Sequence, residues 1–217
     1  MKGKIPLTKN VRNKDREATQ KKNSQIVRFF CIIAFIINMK KNITFSLTVL
    51  WILATRVYDA YCTFQYTPDL TLEANPLVSL FGLNWTPLLI IISILGVYCI
   101  YAYYLAFFKH FTLSPTEKNY SFSNFIGYIY TGKKQSWISL LYKFPKDINR
   151  FHHYMGNLMT RCLVFGGVVS TFMWILLNDV PYYKNIHSAT IIYLILVIGS
   201  VFICYNWFLK LYKEYES

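Results

Sequence analysis

No two of the five cysteines stand in a Cys-x-x-Cys pair, and none shares a zinc-type spacing with a histidine. All five sit in apolar runs, so they read as small buried hydrophobes, not as a disulfide framework or a metal site. The chain also lacks Gly-x-Ser-x-Gly, a glycine-rich phosphate loop, His-Glu-x-x-His and the paired glutamates of membrane proteases. Those absences exclude the familiar nucleophile-elbow hydrolase, phosphate-loop nucleotide binder and zinc peptidase, leaving only an enzyme of unfamiliar design. No internal repeat divides the 217 residues.

What the chain has in quantity is apolar surface: 54% of it is hydrophobic and 18% aromatic, which points to a membrane protein. A spanning helix needs about 20 mainly apolar residues. Four windows supply them, 43–66, 88–108, 158–177 and 189–209, the second without any charge. The expected fold is all-α and polytopic, with four transmembrane helices plus a cytoplasmic amphipathic helix. The transmembrane domain should cover 43–211, with a cytoplasmic loop at 109–157 and a tail at 212–217. The earlier run at 26–38 has about 13 residues, short for a span, and reads as an interfacial or signal-like stretch with no cleavage site after it. Alternatively, Met39-Lys40-Lys41-Asn42 followed by an apolar helix resembles a natural start, and residues 1–38 would then be an over-extended gene start and not part of the native protein. Residues 1–25 are polar and poor in aromatics, so the basic 1–42 segment is expected to be partly disordered.

The net charge of +13 invites a nucleic-acid reading. Its distribution argues against one. Of 23 Lys and Arg, eleven precede residue 42, seven lie in 109–150 and two follow Leu209, whereas the connections 67–84 and 178–187 carry only Lys184. This is the positive-inside pattern, which puts both termini and the long loop in the cytoplasm. Contact with anionic lipid accounts for the N-terminal cations, and no nucleic-acid partner is expected.

The two remaining cations, Arg56 and Arg161, fall within predicted spans. Arg56, Asp59 and Thr63 are spaced i, i+3, i+7 along one helix face. An ion near the bilayer centre costs about 2.5–3.5 kcal/mol on insertion scales, so this face should not point at lipid. An Arg56–Asp59 ion pair could fix helix packing, or Arg56 could snorkel. The functional reading groups Asp59 and Thr63 with Glu73 and Asn75 around an outward-facing polar cavity. Hard oxygen ligands of that kind suit Mg, Ca or Mn, with Asp59 and Glu73 as the metal ligands, and paired carboxylates suit acid and base work. Asn75-Pro76 also has a plain explanation as the start of a short helix that Gly82 ends, and Thr86-Pro87 repeats that signal.

In the long loop, Trp137, Leu140, Leu141 and Phe144 fall at i, i+3, i+4 and i+7, flanked by lysines. The spacing predicts an amphipathic helix on the inner leaflet, stopped by Pro145. Asp147 is then a plausible cap for a helix continuing to Leu177, about 46 Å long at 1.5 Å per residue. On it His153, Asn157 and Arg161 form an i, i+4, i+8 stripe beside His152. Asn206 in the last span should lie at the depth of Arg161 and could hydrogen-bond to it. Adjacent histidines face different directions on a helix, so headgroup contact or packing explains His152 and His153 better than a metal. Asp59 and Arg161 should stand roughly 10 Å apart along the normal, too far for one site.

Asp59 with Thr63, the Glu73-Ala74-Asn75-Pro76-Leu77 turn and the terminal Tyr205-Asn206-Trp207 resemble a group of small bacterial four-helix membrane proteins of unknown function. Their pattern is an Asp-x-x-x-Thr helix followed by Glu-x-Asn-Pro. The resemblance covers about residues 43–210 and departs in the long loop and the N-terminal segment. It implies the four-helix architecture, a bacterial cytoplasmic membrane and the grouping of Asp59, Thr63, Glu73 and Asn75; it supplies no activity. The role expected is structural, interactive or lipid-binding, with the bilayer and another membrane protein or lipid as partners. The alternative is a membrane-embedded metal-dependent enzyme or ion handler.

Overall fold

The computed structural model describes residues 39–71 and 75–217. The N-terminal stretch, with its apolar run at 26–38, lies outside the described residues, and so does Glu73. A first compact unit ends at Leu47, and the second is Thr48–Ser217. Of the first unit, the described part is the opening of helix α1 (Met39–Tyr66). The second holds the rest of α1 and then α2 (Pro76–Ser79), α3 (Trp85–Phe108), α4 (Phe122–Thr131), a 3-10 turn (Trp137–Leu141), α5 (Ile148–Asp179), α6 (Pro181–Ile186) and α7 (Ala189–Glu216). No strand occurs among the described residues. Helices α1, α3, α5 and α7 are each long and apolar enough to cross a membrane. The protein is an all-α, four-span membrane protein.

Local chemistry sets the helix ends. The Asp147 side chain accepts the backbone N–H of Asn149 and of Arg150, the expected cap of α5. Val180 precedes Pro181 and is extended, so α5 stops there, and Pro181 opens α6 at a position that needs no donor. The Asn75 Oδ1 accepts the Leu77 N–H at 3.0 Å, and Gly82 takes the left-handed φ of 62° just beyond α2. Helix α3 begins at Trp85, earlier than the Thr86-Pro87 signal suggests, because a first-turn N–H has no helical partner to lose. Helix α7 runs on to Glu216, past the expected end of the span at Leu209.

At 32 residues, α5 is about 48 Å long against a hydrocarbon core of about 30 Å. It packs against α3, α4, α6 and α7, and bonds to residues 48–66 of α1. Helix α5 meets three neighbours through small residues. A Cβ at Gly156 would strike the backbone of Ala102 in α3, and one at Gly167 would strike Thr55 in α1. Opposite α7 the notch is on the partner, where the Phe165 ring fills the space over Gly199. In lipid no hydrophobic force draws helices together, so close backbone approach supplies the packing.

The long loop is a folded subdomain seated on the start of α5 and the end of α7, here termed the loop end. Its core joins Tyr120, Phe125, Ile129 and Tyr130 to Tyr154, Trp207 and Phe208. The amphipathic helix of the loop is α4, where Phe122, Phe125, Ile126, Ile129 and Tyr130 make the inward stripe. The predicted helix at 137–144 is replaced by one 3-10 turn. Pro145 offers no N–H and disfavours helical geometry at Phe144, so no helix continues through this point. Arg150 ties the subdomain to α5. Its Nη1 donates to the carbonyls of Leu113 (2.9 Å), Tyr128 and Ile129 (both 3.3 Å), the last two at the negative end of α4. The guanidinium also lies over the rings of Phe111 and Tyr128.

Two outcomes follow from this packing. Gly156→Ala should destabilise the bundle by roughly 1–3 kcal/mol, because a backbone carbonyl cannot step aside cheaply, and a lowered Tm in detergent would report it. Arg150→Ala should release α4 and speed tryptic cleavage at Lys133 and Lys134 while leaving the spans helical by far-UV circular dichroism.

Candidate functional site

The polar residues expected on the first span do gather, and they recruit two partners from α5. Arg56 Nη1 stands 3.5 Å from Asp59 Oδ2, and Arg56 Nη2 donates to Ser170 Oγ at 2.9 Å. Trp174 Nε1 donates to Asp59 Oδ1 at 2.7 Å. Arg56 and Asp59 are one turn apart on α1, and Ser170 and Trp174 one turn apart on α5, so the four make a ladder between two helices. Trp174 is buried beside Cys62 and Leu177, with an edge contact to Tyr66. Arg56 Nε is buried without a hydrogen-bond partner among the described residues. Both oxygens of Asp59 are therefore engaged.

Two other members of the expected group, Asn75 and Thr63, make bonds of their own. Asn75 spends its Oδ1 on the cap of α2. Thr63, half-buried one turn beyond Asp59, accepts the Thr67 N–H on its backbone carbonyl. Glu73 is outside the described residues. Among those residues, no three His, Cys, Asp or Glu side chains are grouped to hold a metal.

Between α1 and α2, Asp69 Oδ1 accepts the Thr71 N–H, the Thr71 hydroxyl and the Thr67 hydroxyl. The Thr71 backbone and side-chain donors hold its carboxyl below the usual aspartate range. This contribution is complete above the ordinary aspartate pKa, about 3.9, and is lost as pH falls through the lowered folded value. Trp85 Nε1 closes the turn onto the Pro68 carbonyl at 2.7 Å.

The second expected set lies toward the loop end, strung along α5. Asn157 Nδ2 donates to the His153 carbonyl, and Arg161 Nη1 donates to the carbonyl and Oδ1 of Asn157. His153 is buried and stacks on Phe111 at 4.8 Å, while His152 Nδ1 meets the Tyr98 hydroxyl at 3.2 Å. The two rings thus face different neighbours. Asn206 does not reach Arg161; it is exposed and its Nδ2 donates to Phe202 of its own helix. The adjacent residue, Trp207, faces α5 instead and holds Arg161 over its ring at 5.2 Å. Thirteen residues separate Arg161 from Trp174, about 20 Å along α5, so the two sets remain distinct.

Three participants were not read from the sequence. Ser170 and Trp174 had a usable signal, since Trp174 is five residues from the end of α5 and Asp59 seven from the end of α1. Equal depth with i, i+4 spacing could have paired them. The third, Arg150, sits i−3 to His153 and i−7 to Asn157, on the same stripe. No family model matches the chain, and no curated protein or solved structure does either.

The ladder predicts coupled stabilities. Asp59→Asn leaves Arg56 without its countercharge, and Trp174→Phe removes the short hydrogen bond; each should lower Tm. A double-mutant cycle between them should show a coupling of about 0.6–1.7 kcal/mol, the range for polar links between membrane helices. Additive losses would mean that the indole and carboxylate act independently.

Proposed function

We propose that this is an integral membrane protein of the structural or interaction class, oriented with its termini and loop subdomain in the cytoplasm, and that the subdomain binds an anionic lipid surface. One observation carries the reading: a dense apolar and cationic surface on the segment joining α4 to α5. Trp137, Ile138, Leu141, Tyr142 and Phe144 are all exposed, Leu141 by 78% and Phe144 by 67%. Around them stand Lys133, Lys134, Lys143 and Lys146, and no acidic residue occurs between Glu117 and Asp147. An aromatic and aliphatic face flanked by lysines suits the headgroup layer, where each cation near an anionic leaflet is worth about 1 kcal/mol.

The charge distribution supports the orientation, since the opposite connections carry a single lysine. The resemblance to small bacterial four-helix proteins supports a bacterial cytoplasmic membrane. A metal-dependent enzyme or ion handler would need Asp59 to leave both Arg56 and Trp174, so the Asp59 geometry favours a packing role. Stoichiometric divalent metal in the purified protein that disappears in Asp59→Ala would reverse that preference.

Hydrogen exchange of the full chain in nanodiscs tests the lipid surface. Residues 137–146 should be protected in discs containing phosphatidylglycerol relative to pure phosphatidylcholine. Replacing the four lysines with glutamine, or raising salt, should remove the difference. Equal exchange in both lipids, or protection traced by cross-linking to a second copy, would sink the proposal.

A further inference from the structure

Cys162 on α5 and Cys204 on α7 are 42 positions apart in sequence, and their Sγ atoms meet at 3.7 Å. That is sulfur-to-sulfur van der Waals contact; a disulfide needs about 2.05 Å, so the atoms must approach by less than 2 Å. Both carry free thiols and both are half-buried.

Contacts on either side of the pair fix the register of α5 against α7. On the far side of it, Phe165 fills the space over Gly199. Toward the loop end, Arg161 lies over Trp207, and Tyr154 packs on Trp207 and Phe208. Rising numbers on α5 meet falling numbers on α7, so the helices are antiparallel and the cysteines sit at the rung between these contacts. The register that juxtaposes the sulfurs is fixed from both sides. The other described cysteines, Cys62 and Cys99, lie on α1 and α3.

We propose that Cys162 and Cys204 form a dithiol–disulfide site that reacts with a two-electron oxidant dissolved in the bilayer, of the quinone class. The pair lies within two apolar spans, a setting that suits an oxidant that partitions into hydrocarbon. Two S–H bonds break and one S–S bond forms; the two electrons and two protons pass to the quinone carbonyl oxygens, giving a hydroquinone. The product is a covalent staple between α5 and α7. This site is independent of the proposed lipid surface, and either can fail alone.

The test uses the reduced full chain in nanodiscs, without oxygen, exposed to a short-chain benzoquinone whose ring is fully substituted and so cannot add a thiol. After denaturation, the remaining thiols are alkylated and the peptides mapped. The expected result is one hydroquinone per chain, alkylation of three of the five cysteines, and a peptide linked through Cys162 and Cys204. Cys162→Ser and Cys204→Ser should each abolish both the link and the hydroquinone. The wild-type peptide map decides the matter if either variant fails to fold. Five alkylated cysteines, a link through another cysteine, or a disulfide formed by copper–phenanthroline but not by the quinone would overturn the proposal.

Discussion

Helix α5 is longer than the bilayer is thick, and the remaining structure is arranged on that surplus. About 20 of its 32 residues suffice to cross the hydrocarbon. The others project at the loop end and provide the platform on which α4 folds. Along its length, each neighbour meets α5 at its own height: α3 at Gly156, α7 around Phe165 and α1 at Gly167. Along the span its large exposed side chains keep to one strip, Val168, Phe172 and Ile175, and the other faces meet neighbouring helices.

The three arginines of the second unit show how a cation is accommodated where water is scarce. Arg56 has a carboxylate and a hydroxyl, Arg150 has three backbone carbonyls and two aromatic rings, and Arg161 has an asparagine and an indole. Only the first uses an acid. Burying a charge is tolerable when its donors are satisfied, and carbonyl dipoles and ring faces can do this without a second ion to desolvate. Arg150 gains further because one of its acceptors, the Ile129 carbonyl, lies in the last turn of α4, where carbonyls run out of helical N–H partners.

The larger buried cluster lies at the loop end, not midway along the bundle. The physical reason is solvent. Water drives apolar side chains together only where water is present, and lipid accepts exposed Val57, Ile94 or Val201 at no comparable cost. The aromatic residues of α4 and of the last turns of α7 therefore condense into a compact core. Midway along the spans, small residues and a few polar links hold the helices.

Hydrophobic runs of span length, the Asp147 cap and the Pro76 and Pro181 punctuation are local properties, and the sequence alone determined the four spans and most of their ends. It also determined that Arg56 and Asp59 share a face, since helical periodicity requires it. Which residues complete that face was a tertiary matter, because Ser170 and Trp174 come from a helix more than 100 residues away. The same holds for Trp207 replacing Asn206 beneath Arg161, a choice made by the rotation of α7 against α5. In the loop, the stripe at 137–144 was read from the sequence and the stripe of α4 was not. Only the folded chain decided between them, because Pro145 truncates one while Arg150 and the ends of α5 and α7 bury the other. The meeting of Cys162 with Cys204 left no trace in spacing at all, since antiparallel packing of two separate spans brings the sulfurs together.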